Sequence, residues 1–138
     1  MTPDAIRPAP IVTEDSAAFW DAADEGRLVA QRCAKCGRLR HPPRPMCPEC
    51  RSLDVEMVTL SGRGTVYSYA ILHHPRHPAF EYPVLAALVD LEEGIRLVSN
   101  LVGVARAEIR IGMPVEVEFA ATDGGHRVPV FRPAESSL

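Results

Sequence analysis

Apolar and polar positions follow three regimes along this chain. Between Thr13 and Gly26 the apolar side chains recur at three- and four-residue steps, placing Phe19, Trp20 and Ala23 on one face, and this predicts a short helix. Thr13 or Asp15 can cap it, Glu14 and Asp15 suit the positive end of its dipole, and Gly26 can stop it. Upstream, Pro3, Pro8 and Pro10 exclude helix from residues 1–12 and predict an extended segment running over a surface. Leu28-Val29-Ala30 then leads as a strand into a cysteine-bearing stretch. Leu39–Met46, with three prolines, predicts a stiff extended arm.

Beyond residue 54 the period becomes two. Candidate strands are Val55–Leu60, Gly64–Leu72, Val84–Leu91, Ile95–Leu101, Val115–Ala120 and Val128–Phe131. Turn residues separate them at Ser61-Gly62, Glu92-Glu93-Gly94, Gly112 and Asp123-Gly124-Gly125. Alternation is plain in Thr65–Tyr69 and in Val115–Phe119. Val84–Val89 is instead continuously apolar, which predicts a strand covered on both sides. The spacing around Glu93-Gly94 predicts a tight hairpin. The expected fold class is therefore mainly β: a short N-terminal helix, a cysteine-bearing ribbon, and a small closed barrel of the OB type, with a small open sandwich as the alternative. The corresponding segments are 1–27, 28–54 and 55–138.

The chain's four cysteines, Cys33, Cys36, Cys47 and Cys50, form two C-x-x-C pairs. Two intervening residues let one tight turn present both sulfurs, and four thiolates complete a tetrahedral zinc site. Gly37 after the first pair and Pro48 within the second are suitable turn residues. This predicts one structural zinc held by all four cysteines. The competing readings are two disulfides or four unrelated buried thiols. Disulfides want an oxidising compartment, and the start Met1-Thr2-Pro3-Asp4 lacks the basic-then-apolar pattern of a signal peptide. With no apolar run of membrane length either, the expectation is a cytoplasmic protein.

The net charge of −3 conceals a segregation. Residues 1–26 carry −5, residues 27–51 carry +6, and residues 52–138 carry −4. A ribbon this basic, with Arg38, Arg40 and Arg44 in or beside its arm, reads either as a docking surface for an anionic patch or as charge that keeps a small module in solution. Trp20, the sole tryptophan, reads as a core anchor or as an anchor for a partner.

Several motifs, in order, give the chain a resemblance. They are Asp24-Glu25-Gly26-Arg27-Leu28, the knuckle Gln31–Gly37, the arm His41-Pro42-Pro43-Arg44 leading to Cys47-Pro48-Glu49-Cys50, and Gly62–Tyr69. Val89–Gly94, Ile111–Val115 and Val130–Pro133 continue the series. Over Phe19 to Pro133 the chain resembles the zinc-ribbon (rubredoxin-like) and OB-fold proteins long catalogued as a domain of unknown function and associated with acyl-CoA metabolism. The resemblance implies a helper: a partner of thiolase-fold enzymes, including the lipid-transfer-type thiolases that act as aldolases in steroid side-chain breakdown. It implies a hetero-oligomer, with acyl-CoA as a candidate ligand. Trp20, Arg38, Arg40, Arg44, His73, His77, Phe80 and Tyr82 are the candidate partner or CoA contacts. Some relatives are fused to a hydratase domain for which this chain has no room, so hydratase activity is not expected of it.

An independent catalytic role would have to rest on His73-His74-Pro75-Arg76-His77-Pro78. Histidine suits general-base work, but the prolines prevent a regular metal-binding face and no carboxylate lies within the cluster to orient an imidazole. The segment reads better as a loop between barrel strands. Gly62-Arg63-Gly64 reads as a turn entering the barrel, since no nucleotide-binding pattern surrounds it. No catalytic residue is expected. A single-stranded nucleic-acid module is the alternative of a different class, because OB barrels and zinc ribbons both serve it. The acidic barrel, with only Tyr67 and Tyr69 as closely paired strand aromatics, argues against it.

Overall fold

The computed structural model describes residues 7–74, 76–78, 80 and 82–134. The expectations for Pro3 and Pro75 therefore lie outside the described residues. Helix α1 spans Ala17–Asp24, shorter than the pattern predicts. The residues before it form a separate turn, in which Thr13 N–H donates to Ser16 Oγ at 3.0 Å and Ser16 N–H to Thr13 Oγ1 at 3.3 Å. Gly26 ends the helix as expected. It sits at φ 81, its N–H reaches Ala23 O at 2.9 Å, and Arg27 N–H reaches Ala22 O at 2.9 Å. This pair of bonds is the Schellman closure, which a left-handed glycine permits.

Three strands form the ribbon sheet: β1 (Val29–Cys33), β2 (Leu39–Arg40) and β3 (Val55–Thr59), in the order β2-β1-β3. The sequence expectation grouped Val55–Thr59 with the barrel segment. The strand pairs instead with β1, Cys33 opposite Val55 and Val29 opposite Thr59. It leaves the second cysteine pair and runs straight back along its neighbour, so local chain economy decides its sheet. Period alone cannot show that.

The remaining strands are β4 (Arg63–Leu72), β5 (Val84–Leu91), β6 (Arg96–Asn100), β7 (Pro114–Ala121) and β8 (Arg127–Pro133). They form an antiparallel sheet in the order β6-β5-β4-β7-β8. The ends of β6 and β8 meet where Leu101 bridges Phe131 and Val102 N–H donates to Phe131 O at 2.8 Å. The result is a nearly closed, OB-like five-stranded barrel. The predicted hairpin turns at Glu92–Gly94, with Asp90 opposite Arg96.

Val66, Val89, Val115 and Phe131 are fully buried inside the barrel. Phe19 and Ala22 of α1 and Leu28–Ala30 of the ribbon belong to the same apolar cluster, so one core joins ribbon, helix and barrel. Gly64 is required by this packing. A side chain there would strike the backbone carbonyl of Asp90 on β5. That accounts for half of Gly62-Arg63-Gly64; Gly62 turns at φ 81 against Val117.

One expectation fails in an informative way. The apolar run Val84–Val89 predicts cover on both faces, but a single barrel has one interior. Ala87 and Val89 point into it, whereas Val84, Ala86 and Leu88 remain only partly covered. Their neighbours across the strands are Ser68, Ala70 and Leu72 on β4 and Val98 and Asn100 on β6. Farther along the same face Asp90 and Arg96 form an ion pair, which bounds this apolar stretch.

Candidate functional site

The two C-x-x-C segments fold as equivalent knuckles. In the first, Gly37 N–H donates to Cys33 O and Cys33 N–H to Arg38 O, both at 2.9 Å. In the second, Arg51 N–H donates to Cys47 O and Cys47 N–H to Ser52 O, again at 2.9 Å. The matching position after each pair is left-handed, Gly37 at φ 80 and Arg51 at φ 65. The second knuckle therefore places an arginine where the first has the easier residue.

The knuckles bring all four Sγ atoms within 4.8 Å of one another. Cys33 and Cys50 sulfurs are 3.4 Å apart and those of Cys36 and Cys47 3.7 Å. A disulfide needs about 2.05 Å, whereas thiolates about 2.3 Å from one zinc lie about 3.8 Å apart around a tetrahedron. The cluster fits one metal ion, and the disulfide alternative falls away. Electrostatics favour ligation too. The Cys36 backbone N–H, 3.4 Å from Cys33 Sγ, leads the effects that bring that thiol down to about 6. The Cys50 backbone N–H similarly lowers Cys47. Cys36, despite a lowering bond from the Arg38 N–H, is pushed up to about 11 by desolvation and its sulfur neighbours. A bound cation removes that conflict by stabilising every thiolate together. Cys33, Cys36, Cys47 and Cys50 would hold the zinc, which would cross-link the two knuckles as a structural ion.

The predicted basic face is much reduced. Arg32 pairs with Glu56 at 2.5 Å, Arg38 with Glu49 at 3.2 Å, and Arg27 with Glu25 at 2.6 Å. Arg40 is buried at 7% exposure. Its Nε donates to Gln31 Oε1 at 2.8 Å and its Nη2 to Arg44 O at 3.1 Å, while Arg44 N–H donates to the same Gln31 oxygen at 2.8 Å. Arg40 thus braces the arm onto β1 from within, and the Arg44 side chain remains exposed. The three candidate arginines occupy three different environments.

The structure brings Trp20 and Phe80 together in a groove of about 580 Å³. The Pro8–Thr13 segment, α1, His41–Pro43 of the arm, β6 and β8 wall it. Trp20 packs edge-on against Phe19 with ring centres 4.8 Å apart. His41 packs on Phe19 at 5.3 Å, and burial lowers its pKa, which favours the uncharged ring at neutral pH. Arg7 also lines it. Its Nη1 donates to Asn100 Oδ1 at 2.8 Å and its guanidinium lies 5.3 Å from the Phe80 ring centre. The sequence reading missed Arg7, His41 and Asn100 as groove residues; the expectation of an extended N-terminal segment on a surface was the one available hint.

His73, His77 and Tyr82 do not line this groove. They lie in the β4–β5 loop, where His77 N–H donates to the Tyr82 hydroxyl at 2.7 Å and Arg76 lies 5.4 Å from the Tyr82 ring. Tyr67 is covered by Arg96 at 3.5 Å, itself paired with Asp90. The one histidine–carboxylate pair among the described residues is structural in placement. His126 Nδ1 meets Asp24 Oδ2 at 2.9 Å, and Arg127 N–H donates to Asp24 Oδ1 at 2.9 Å, tying α1 to β8. None of the helices among the described residues is long and apolar enough to cross a membrane.

Comparison with known proteins adds identity to this geometry. Residues 20–56 match a family model described as the ChsH2 rubredoxin-like zinc ribbon domain, and residues 57–120 that of the ChsH2 C-terminal OB-fold domain. A "Probable enoyl-CoA hydratase alpha subunit" of Thermomonospora curvata is 54% identical over 96% of this chain, which spans 41% of that relative. A "DUF35 domain-containing scaffold protein" of Methanothermobacter thermautotrophicus is 36% identical over 67% of this chain and 71% of its own length. "Benzoylsuccinyl-CoA thiolase subunit BbsA" of Geobacter metallireducens is 40% identical over 55% of this chain and 51% of its own. Among solved structures, a chain of the "Ltp2-ChsH2(DUF35) aldolase" is 53% identical with TM-score 0.88, covering 92% of this chain and 100% of that one. The chain belongs to the DUF35 family, built as a ChsH2-type zinc ribbon followed by an OB-fold domain.

Proposed function

We propose that this chain is a non-catalytic accessory subunit that scaffolds or completes a thiolase-fold acyl-CoA enzyme, of the thiolase or steroid side-chain aldolase type. The observation that carries this reading is the likeness, over 92% of this chain and all of its counterpart, to a chain of a solved aldolase whose name joins two components. Relatives named as a scaffold protein and as a thiolase subunit support the same role. The hydratase-named relative is matched over only 41% of its length, and its chemistry is not carried over.

Physical features support the role independently. The four cysteines supply a full set of thiolate ligands, so a zinc held there would fasten the ribbon as a structural ion. The outer face of β4, β5 and β6 presents partly covered Val84, Ala86 and Leu88 with exposed Leu72 and Val98, an apolar stretch bordered by the Asp90–Arg96 pair and suited to a partner. Coexpression with thiolase-type acyl-CoA enzymes of the same organism tests the proposal. A stable hetero-oligomer is expected, with partner activity or solubility dependent on this chain. A monodisperse protein that ignores those enzymes and shifts single-stranded oligonucleotides at physiological salt would favour the nucleic-acid reading instead.

A further inference from the structure

Backbone hydrogen bonding leaves one strand edge of the ribbon without a partner. In the ribbon sheet, ordered β2-β1-β3, β3 is an outer strand. Ala34 N–H donates to Asp54 O at 3.0 Å and Leu60 N–H to Leu28 O at 2.8 Å. With Cys33 opposite Val55 and Val29 opposite Thr59, these bonds set the phase of the ladder. Glu56 and Val58 direct their N–H and C=O groups at β1, and Val55, Met57 and Thr59 direct theirs away from it. Among the described residues nothing pairs with those outward groups. Val55 and Thr59 are exposed and Met57 is half-buried, so a second strand can reach the edge.

The other sheet ends are guarded. Strand β2 is two residues long and is followed closely by Pro42 and Pro43. In the barrel, β6 and β8 close on each other through Leu101, Phe131 and the Ser99 hydroxyl, which donates to Pro129 O at 2.9 Å. Edges that stay single are usually blunted by a proline, a bulge or a charge, lysine above all. Strand β3 has no proline, no lysine and no bulge; its register with β1 is regular throughout. Its one charged side chain, Glu56, is neutralised within the sheet by Arg32, whose Nε donates to it at 2.7 Å. Past the strand, Ser61 N–H is committed to Glu93 Oε2 at 2.8 Å, so the open stretch ends at Thr59.

We infer that β3 pairs antiparallel with β3 of a second copy of this chain, about a twofold axis at Met57, joining two ribbon sheets edge to edge. The sequence then fixes what meets: Met57 faces Met57, Val55 faces Thr59, and Glu56 faces Val58. Every outward N–H and C=O of Val55, Met57 and Thr59 finds a partner, because such facing residues exchange both bonds. No like charges oppose each other. Other registers do worse: an axis at Glu56 sets two glutamates face to face and leaves Thr59 unpaired, and an axis at Val58 leaves Val55 unpaired. An edge that its own sequence satisfies this fully points to a second copy rather than to a strand of another protein. The pairing goes beyond the accessory-subunit reading and stands or falls apart from it, because two isolated chains suffice.

Sedimentation equilibrium of the zinc-loaded full chain, from micromolar to millimolar concentration, should show the mass rise from one chain to two. Hydrogen exchange over the same range should slow at the Val55, Met57 and Thr59 amides, while Glu56 and Val58, already bonded to β1, change little. Two double variants at the exposed positions then test the register with matched perturbations. Val55→Lys with Thr59→Lys sets like charges face to face and should weaken association at least tenfold. Val55→Lys with Thr59→Glu sets opposite charges face to face and should stay within about threefold of the parent. The exchange measurement on the unaltered chain decides even where a variant fails to fold. A chain that stays single at millimolar concentration, a dimer whose three edge amides exchange as fast as in the monomer, or equal association of the two folded double variants overturns the inference. So does protection of those amides only when a thiolase-type enzyme is added, which assigns the edge to a strand of that partner.

Discussion

Replacing Cys47 by serine tests the role of the metal most sharply, because Cys47 is the ligand with 0% exposure. Small structural zinc sites bind with roughly 10–16 kcal/mol. Shared among four thiolates, one ligand accounts for about 3–4 kcal/mol, or roughly two to three powers of ten in zinc affinity. Serine adds the desolvation of a hydroxyl at a fully buried position, about 1–3 kcal/mol if it finds no acceptor. The ribbon has little apolar packing of its own to offset this, whereas Val66, Val89, Val115 and Phe131 hold the barrel without it. Competition with a chromophoric chelator should show the variant losing zinc at least a hundredfold more readily than the parent. Hydrogen exchange should show lost protection across Cys33–Ser52, with β-barrel amides such as that of Val89 still protected. One tightly held zinc per chain and an unchanged melting curve in Cys47→Ser would refute the structural-metal argument.

Three further outcomes follow from particular residues. Gly64→Ala should cost about 1–3 kcal/mol because its methyl meets backbone on β5, whereas Gly94→Ala, strained at φ 96 but in open space, should cost about 1 kcal/mol; equal shifts in denaturant midpoint would contradict the β4–β5 register. Arg51→Gly should stabilise the second knuckle by up to about 1 kcal/mol, since it relieves a left-handed arginine at the cost of chain entropy; a lowered melting temperature would count against that geometry. The Asp24 carboxyl is held below its ordinary value, first by the Arg127 backbone N–H and then by His126. Its contribution is therefore present above about pH 4 and fades as pH falls through the lowered folded-state value. Asp24→Asn should lie below the parent in melting temperature at neutral pH and converge with it in acid; a gap that widens on acidification would reverse the sign.

Much of this architecture is legible in the chain because the signals are local. Two residues between paired cysteines fix each knuckle, and alternation bounded by glycine fixes most strands. Whatever depends on distant partners is not legible in the same way. Val55–Thr59 carries the period of a strand but no mark of which sheet receives it. Val84–Val89 is apolar on both sides, yet the single barrel covers one. The basic ribbon looks unpaired along the sequence until Glu49 and Glu56 come back against Arg38 and Arg32. The groove assembles from six separate segments, so Trp20 and Phe80 can be singled out as aromatics while Arg7, 73 residues from Phe80 in sequence, carries no local sign of its place beside them.

The account stands on the claim that this chain works through the enzyme it joins. Turnover of an acyl-CoA substrate, measured for the zinc-loaded chain alone, for the thiolase-type partner alone and for the two coexpressed, tests it most directly. The account predicts no turnover by this chain at any concentration, and activity in the coexpressed pair that exceeds that of the partner alone. Stoichiometric, enzyme-like turnover by the isolated chain would contradict it.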